Sequence, residues 1–310
     1  MAGAVEWVAV DWGTSNVRAW GIDSAGDIVF SQTSDQGMGR LASTDYPGVL
    51  EGMLKDQPRP PDRPLGVLIC GMAGARQGWR EAPYIETPAT LSQLAAGAVR
   101  PSTGRADLLA RILPGVCQKT PGREDVIRGE ETQLLGLLSL RPDFEGTVLM
   151  PGTHSKWVRI AGGRITEFVT AMTGELYDVL GTHSVLLHSV KPGDAGPQTE
   201  EGVAEGLSAG LERPAELSAL LFRTRAASLL SSRGPDWCSG YLSGLLVGAE
   251  IGGRRDWLDR TGIVPLIGSA RLCRLYGAAL ARIGARSEAI DATEATLAGL
   301  KAARMQGAAG

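Results

Sequence analysis

The alternation of short apolar runs, glycine turns and leucine-bearing stretches predicts an α/β fold. It has two similar domains, each a central mixed sheet flanked by helices, with a ligand cleft between them. Three observations predict it. A valine-rich run at 5–10 ends at Asp11, and a Gly-Thr-Ser turn leads to a second run at 17–22. A glycine hairpin at 23–27 then leads to a third run at 28–32, which makes an antiparallel meander. The same succession of strand, Gly-Thr turn, strand, glycine hairpin and strand begins again at Thr147.

Taken in order, residues 47–55 read as a helix, and the prolines between Pro58 and Pro64 as a surface connection. Residues 65–70 are a continuous apolar strand of the kind buried on both faces of a sheet. Residues 106–113 read as a strand or a helix end. Residues 130–140 are a helix with Leu134, Leu135, Leu137 and Leu138 on its apolar face. The second meander is expected at 147–150, 156–160 and 165–170, with Gly162 and Gly163 in its hairpin. Helices follow at 201–211, 214–230 and 240–251, then a strand at 263–267 and a helix at 270–283. The expected domains are 1–143 and 144–310, the boundary falling near 141–146.

Composition narrows the function class. The chain has 310 residues, 43% hydrophobic and 21% charged, with a formal net charge of −3, which is globular and carries no basic nucleic-acid footprint. Cys70, Cys117, Cys238 and Cys273 form no C-x-x-C pair, so neither a zinc site nor a disulfide scaffold is indicated. No basic, apolar leader opens the chain, and no apolar run nears the roughly 20 residues of a membrane helix. A cytoplasmic protein is expected, with no nucleic-acid or membrane partner; the oligomeric state stays open.

A glycine turn between two strands exposes backbone N–H groups where no side chain blocks a phosphate. In Asp11-Trp12-Gly13-Thr14-Ser15 two hydroxyls add donors, and Asp11 is placed to hold Mg²⁺ through its water shell. Gly152-Thr153-His154-Ser155 occupies the matching place in the second half, so the two turns are expected to grip a triphosphate from both sides. His154, His183 and His188 lack metal spacing, and His183 and His188 read as packing or hydrogen-bonding residues. Gly37-Met38-Gly39 begins a dinucleotide fingerprint, but no βαβ unit follows; the P-loop pattern is absent.

Residues 11–18, with 151–156 and 262–269, resemble the first phosphate, second phosphate and adenosine motifs of the sugar kinase, actin and Hsp70 ATPase superfamily. That likeness implies an actin-like ATPase (ribonuclease H-like) fold. A more specific resemblance, over about residues 5–285, is to the 2-dehydro-3-deoxygalactonokinase family. It rests on residues 71–79, on Arg128-Gly129-Glu130-Glu131-Thr132-Gln133, and on Met172-Thr173-Gly174-Glu175-Leu176 with His183-Ser184.

The resemblance implies that ATP phosphorylates the terminal hydroxyl of 2-dehydro-3-deoxy-D-galactonate. The sugar-acid pocket would lie in the first domain and the nucleotide site in the second. Asp11 with Glu130 or Glu131 is implied in catalysis, the choice between the two glutamates staying open beside the reading of both as acids favoured by a helix N-terminus. Gly13, Thr14, Ser15, Arg18, Gly152, Thr153, His154, Ser155, Gly268 and Ser269 would hold ATP. Arg76, Gln77, Trp79 and Glu175 would hold the sugar acid, with Arg76 also readable as a surface arginine and Trp79 as packing. The rival readings are a phosphohydrolase resembling exopolyphosphatase and a non-catalytic nucleotide-binding module.

Overall fold

Buried β-branched and aromatic residues define the first sheet. The computed structural model describes residues 4–57, 59–60, 62–190, 197–259 and 262–308. Pro58 and Pro61 of the proline-rich connection lie outside these, as do residues 1–3 of the amino terminus. Strand β1 (Trp7–Trp12) is buried along nearly its whole length and carries Asp11 inside the strand, one residue beyond the predicted run. β2 (Val17–Ile22) pairs with β1 and β3 (Ile28–Ser34) with β2, making the antiparallel meander. Their hairpin is set by Asp23, whose carboxylate accepts the N–H groups of Ala25 and Asp27 at 2.9 Å each.

Helix α1 (Tyr46–Leu54) starts with a proline in its first turn, where the missing N–H is harmless. β4 (Leu65–Gly71) follows, parallel to β1 and buried as its unbroken apolar run requires. The segments β5 (Ile85–Glu86), β6 (Ala89–Thr90) and α2 (Leu91–Ala96) were not anticipated. β7 (Leu108–Ile112) settles residues 106–113 as a strand, parallel to β4. β8 (Val116–Gln118) and β9 (Asp125–Ile127) make a small sheet with β5 and lead into α3 (Glu130–Leu140). The main sheet has the order β3-β2-β1-β4-β7.

The second set repeats that plan. β10 (Gly146–Met150), β11 (Ser155–Ala161) and β12 (Arg164–Ala171) precede α4 (Thr173–His183), α5 (Pro197–Glu212), α6 (Leu217–Leu230) and α7 (Pro235–Gly252). β13 (Ile263–Gly268), α8 (Ala270–Arg282), β14 (Arg286–Asp291) and α9 (Ala292–Ala308) complete the chain. The sheet runs β6-β12-β11-β10-β13-β14: β12 to β14 repeat the order of the first sheet, β6 adds an antiparallel edge on β12, and β13 is parallel to both β10 and β14. Beside it, α5 and α7 touch backbone to backbone. A Cβ on Gly202, Gly206, Gly210, Gly240, Gly244 or Gly248 would lie between 2.1 and 2.6 Å from the partner helix.

Of the described residues, one compact unit takes those up to Glu145, Ile160–Glu167 and those from Ala292 onward. The other takes Gly146–Arg159 and Phe168–Asp291. The division therefore departs from a single cut after residue 143, because α9 groups with the first unit. The physical reason is a glycine contact with α3. A Cβ on Gly136 would lie 1.9 Å from the Ala295 carbonyl oxygen, and one on Gly299 1.9 Å from that of Thr132. Leu300 and Ala303 complete this seam, buried in one cluster with Trp7, Ala9 and Leu135. The helix is rich in alanine and lacks a strong apolar stripe, which is why its sequence did not announce it.

Candidate active site

In the first unit, candidate residues collect at the C-terminal ends of β1 and β4. Asp11 stands opposite Arg18 on β2 and beside Cys70 on β4. Burial pushes the Asp11 carboxyl above the usual range, with the Arg18 charge and a 3.8 Å contact from the Cys70 thiol opposing and Glu130 reinforcing the shift. Arg18 also donates to Thr293 Oγ1 of α9 at 3.0 Å. The turn after β1 closes through the Gly13 N–H on the Asn16 carbonyl at 2.8 Å, leaving Thr14 and Ser15 exposed.

A one-turn helix at Met38–Arg40 supports the turn from behind. The N–H groups of Gly37, Met38 and Gly39 donate to the carbonyls of Ser15, Gly13 and Thr14 at 3.2, 3.0 and 2.8 Å. A side chain at Gly37 would strike that turn, its Cβ 2.3 Å from the Ser15 carbonyl carbon. The Gly37-Met38-Gly39 run is thus a buttress for the first turn.

The start of α3 is built around its two glutamates. Gly129 adopts φ 106°, a conformation suited to glycine, and turns the chain from β9 into the helix. Glu130, half-buried, accepts the Arg128 N–H at 3.1 Å. Glu131 is 1% exposed and accepts the Gly129 N–H at 2.6 Å and the Thr132 hydroxyl at 3.1 Å. Burial, reinforced by the Glu130 charge, pushes Glu131 up to about 8, and its backbone hydrogen bonds and Arg128 only partly oppose this. Glu131 is therefore largely protonated at neutral pH.

The loop after β4 bears the expected sugar-acid residues. Arg76 and Gln77 are exposed, Arg76 having a 3.7 Å contact with Glu81. Trp79 packs on the core of the unit, its ring 6.3 Å from Trp12 and 6.0 Å from Tyr46. Sequence reasoning did not single out Arg128 by itself. Its Nη2 donates to the Ala82 carbonyl at 2.8 Å and its guanidinium lies 4.4 Å from the Tyr84 ring centroid, while Nε and Nη1 are buried without a hydrogen-bond partner. Arg128 thereby ties the 71–82 loop to the glutamate turn.

In the second unit, the turn between β10 and β11 is held by α4. Glu175 donates its N–H to the Thr153 carbonyl at 3.0 Å, and its carboxylate pairs with His154 Nε2. Glu175 thus joins the second turn. Gly174 allows the helix start to reach the turn, since its Cβ would lie 2.6 Å from the Gly152 carbonyl oxygen. Lys156 is buried and donates to the His154 carbonyl at 2.9 Å. Gly268 at the end of β13 comes close to Pro151, and Ser269 caps α8 by accepting the Leu272 N–H at 3.4 Å.

A polar hub unforeseen from sequence lies behind this turn. Ser155 Oγ sits 2.8 Å from the Tyr276 hydroxyl, which donates to Glu250 at 2.6 Å. Glu250 also accepts the Trp157 indole N–H at 2.7 Å and the Thr173 hydroxyl. Burial raises the Glu250 carboxyl, and these three donors pull it back. Next to the hub is a cavity of 220 Å³, whose lining includes Thr153, Thr173, Tyr177, Arg271, Leu275 and Tyr276. The signal that could have found Glu250 is an acid two residues before the end of an otherwise apolar α7 segment.

Among the described residues, no three His, Cys, Asp or Glu side chains converge on a metal position. No helix among them is long and apolar enough to cross a membrane.

Comparison with known proteins bears on this arrangement. Residues 11–303 match the family model described as 2-keto-3-deoxy-galactonokinase. A Rhizobium meliloti (strain 1021) protein assigned as a 2-dehydro-3-deoxygalactonokinase is 42% identical over 303 residues, 98% of each chain. The 2-dehydro-3-deoxygalactonokinase of Escherichia coli (strain K12) is 34% identical, covering 95% of this chain and 96% of its own. A crystal structure from Sinorhizobium meliloti assigned to the same activity superposes with a TM-score of 0.88, at 42% identity over 96% of this chain and 95% of that one. The likeness thus extends past residue 285 into α9, and the chain belongs to the 2-keto-3-deoxy-galactonokinase family.

Proposed function

We propose that this chain is a cytoplasmic, Mg²⁺- and ATP-dependent kinase that phosphorylates the 6-hydroxyl of 2-dehydro-3-deoxy-D-galactonate in galactonate breakdown. Besides family membership, the observation that carries the reading is the Asp11, Glu130 and Glu131 group in the first unit. It combines a half-exposed carboxylate with a buried one whose proton is retained. A phosphohydrolase or a passive nucleotide binder is not favoured by relatives named as sugar-acid kinases.

Glu130 is the general base in this reading. It is the more exposed of the pair, and its charge raises both Asp11 and Glu131. It takes the proton of the 6-hydroxyl as that oxygen attacks the γ-phosphorus and ADP leaves. Glu131, protonated and bonded to the Gly129 N–H, is a positioning residue that holds the turn presenting Glu130. Asp11 is the residue that would hold Mg²⁺. A single hard carboxylate at a strand end suits an ion that keeps most of its waters and takes phosphate oxygens, and a bound cation would relieve its desolvated charge. When bound, the ion neutralises charge on the phosphates.

In the first unit the exposed hydroxyls of Thr14 and Ser15, with Gly13 and Arg18, bind phosphate oxygens. In the second, Gly152, Thr153 and His154 do so, buried Ser155 holding their turn through Tyr276, and the cavity at Tyr177 and Arg271 with Gly268 and Ser269 receives the adenosine. Arg76 and Gln77, exposed on the loop beyond β4, take the carboxylate and keto oxygen of the sugar acid. Glu175, partly exposed and paired with His154, adds a substrate contact at the second turn. A coupled ADP-release assay across aldonates and both C4 epimers of the 2-keto-3-deoxy acids tests the assignment. Turnover should require Mg²⁺ and a 2-keto-3-deoxy acid; a rate no higher than with ATP alone for every acid refutes it.

A further inference from the structure

An unexplained feature of the first unit lies toward the other end of its sheet. β1 and β4 deliver Asp11, Trp12 and Gly71 to the candidate active site at their C-terminal ends. Gly66, Val67 and Leu68, at the start of β4, instead line a cavity of 520 Å³. Its other walls are the 100–106 loop, β7 from Leu108 to Arg111, and Arg304 of α9. That volume falls in the ordinary range for small-molecule sites.

The cavity combines an apolar floor with cations. Leu68 and Leu109 supply the floor, on the sheet face that Gly66 and Arg111 share, and Leu109 is 59% exposed. Arg100, Arg105, Arg111 and Arg304 all line it, and no described acidic residue does. Arg105 is already neutralised by Asp107 at 2.8 Å and by Glu51. Arg100 and Arg111 are not matched in this way, and Arg304 has only a long ion pair. Arg111 donates to the Ala95 carbonyl at 3.0 Å, a neutral acceptor. Arg304 lies 4.0 Å from Glu6, which is held more closely by Arg63, and 5.2 Å from the Trp7 ring centroid. Arg100 is exposed, with no ion-pair partner among the described residues. Burial, with smaller contributions from Arg63 and Arg111, lowers the Arg304 guanidinium, and Glu6 opposes the shift.

We propose that this cavity binds a small organic anion, with an apolar body on the β4–β7 floor and a phosphate or carboxylate head among Arg100, Arg111 and Arg304. It is separate from the kinase site and does not depend on the sugar-acid assignment. Guanidinium forks suit such a head, and the apolar floor distinguishes this ligand from a bare inorganic ion.

Calorimetric titration of the full chain with phenyl phosphate, benzoate, inorganic phosphate and phenol tests this, repeated with a saturating non-hydrolysable ATP analogue. One equivalent of phenyl phosphate or benzoate should bind at least about tenfold more tightly than either inorganic phosphate or phenol. The tighter of the two distinguishes a phosphate ligand from a carboxylate one. Arg100→Gln and Arg304→Gln should each weaken binding about fivefold or more, with kcat unchanged. Because Arg100 is exposed, its variant keeps the test valid even if Arg304→Gln unfolds. Three results would each overturn the proposal: no binding of either organic anion at millimolar concentration, affinity unaltered by Arg100→Gln, or displacement by the ATP analogue.

Discussion

Glu131 in the first unit and Glu250 in the second are both carboxylates taken out of water, and their surroundings differ in kind. Glu250 accepts from an indole, a threonine and a tyrosine, so its charge has three fixed donors around it. Glu131 has a backbone N–H and one hydroxyl, and a second carboxylate for a neighbour. Burial opposes ionisation in both, but only Glu131 has a like charge adding to it. The first unit keeps an acid poised to hold its proton beside a base, whereas the second uses an acid as the hub of a scaffold. Burial alone does not reveal which purpose a carboxylate serves; its neighbours do.

The comparison can be broken first at the glutamate pair. Glu130→Gln should lower kcat about a thousandfold, the scale of a lost general base, with the unfolding midpoint unchanged. Glu131→Gln keeps a neutral group of the same shape and should lose less than about tenfold. Equal losses in the two variants, or a larger one in Glu131→Gln, would reverse their assigned roles.

On the scaffold side, Glu250→Ala leaves the Trp157, Thr173 and Tyr276 donors without their common acceptor. It should destabilise the protein by about 3 kcal/mol in denaturant unfolding, and Glu250→Gln by clearly less. A wild-type midpoint for Glu250→Ala would show that the hub is dispensable.

A pH series sharpens the contrast. Glu131 has a folded pKa of about 8 against a usual value of 4.5, so the folded state binds more protons than the unfolded one between those values. Its contribution to stability is therefore present at pH 4.5 and below and lost as the pH rises toward 8. In metal-free protein the melting temperature of Glu131→Gln should gain on that of wild type steadily from pH 5 to pH 8. A constant difference would mean that Glu131 is ionised throughout.

The smallest expected effect is at the sugar-acid loop. Arg76→Ala should raise KM for the 2-keto-3-deoxy acid about tenfold with little change in kcat, as for loss of uniform binding. An unchanged KM would leave Arg76 as the surface arginine that its exposure also permits.

Much of the fold was legible because period and punctuation agree over short spans. β2 and α3 begin and end where the apolar runs and caps say, and the two meanders recur in the same sheet order. The two-residue segments β5 and β6 were not legible, since runs so short carry no periodicity. The start of α4 was read only as a family motif, yet Gly174 and Glu175 there dock on the second turn.

What the sequence by itself determined was the pair of glycine turns, the acids at Asp11, Glu130 and Glu131, and their order along two repeated halves. These are local matters, written in turn residues and strand ends. Tertiary structure alone decided that Glu131 is sealed while Glu130 is not, that Trp79 packs with Trp12, and that α9 belongs with the first unit. Each follows from which backbone approaches which, as where Gly136 and Gly299 let two helices touch. Such contacts join residues far apart in the chain, and no spacing along it records them.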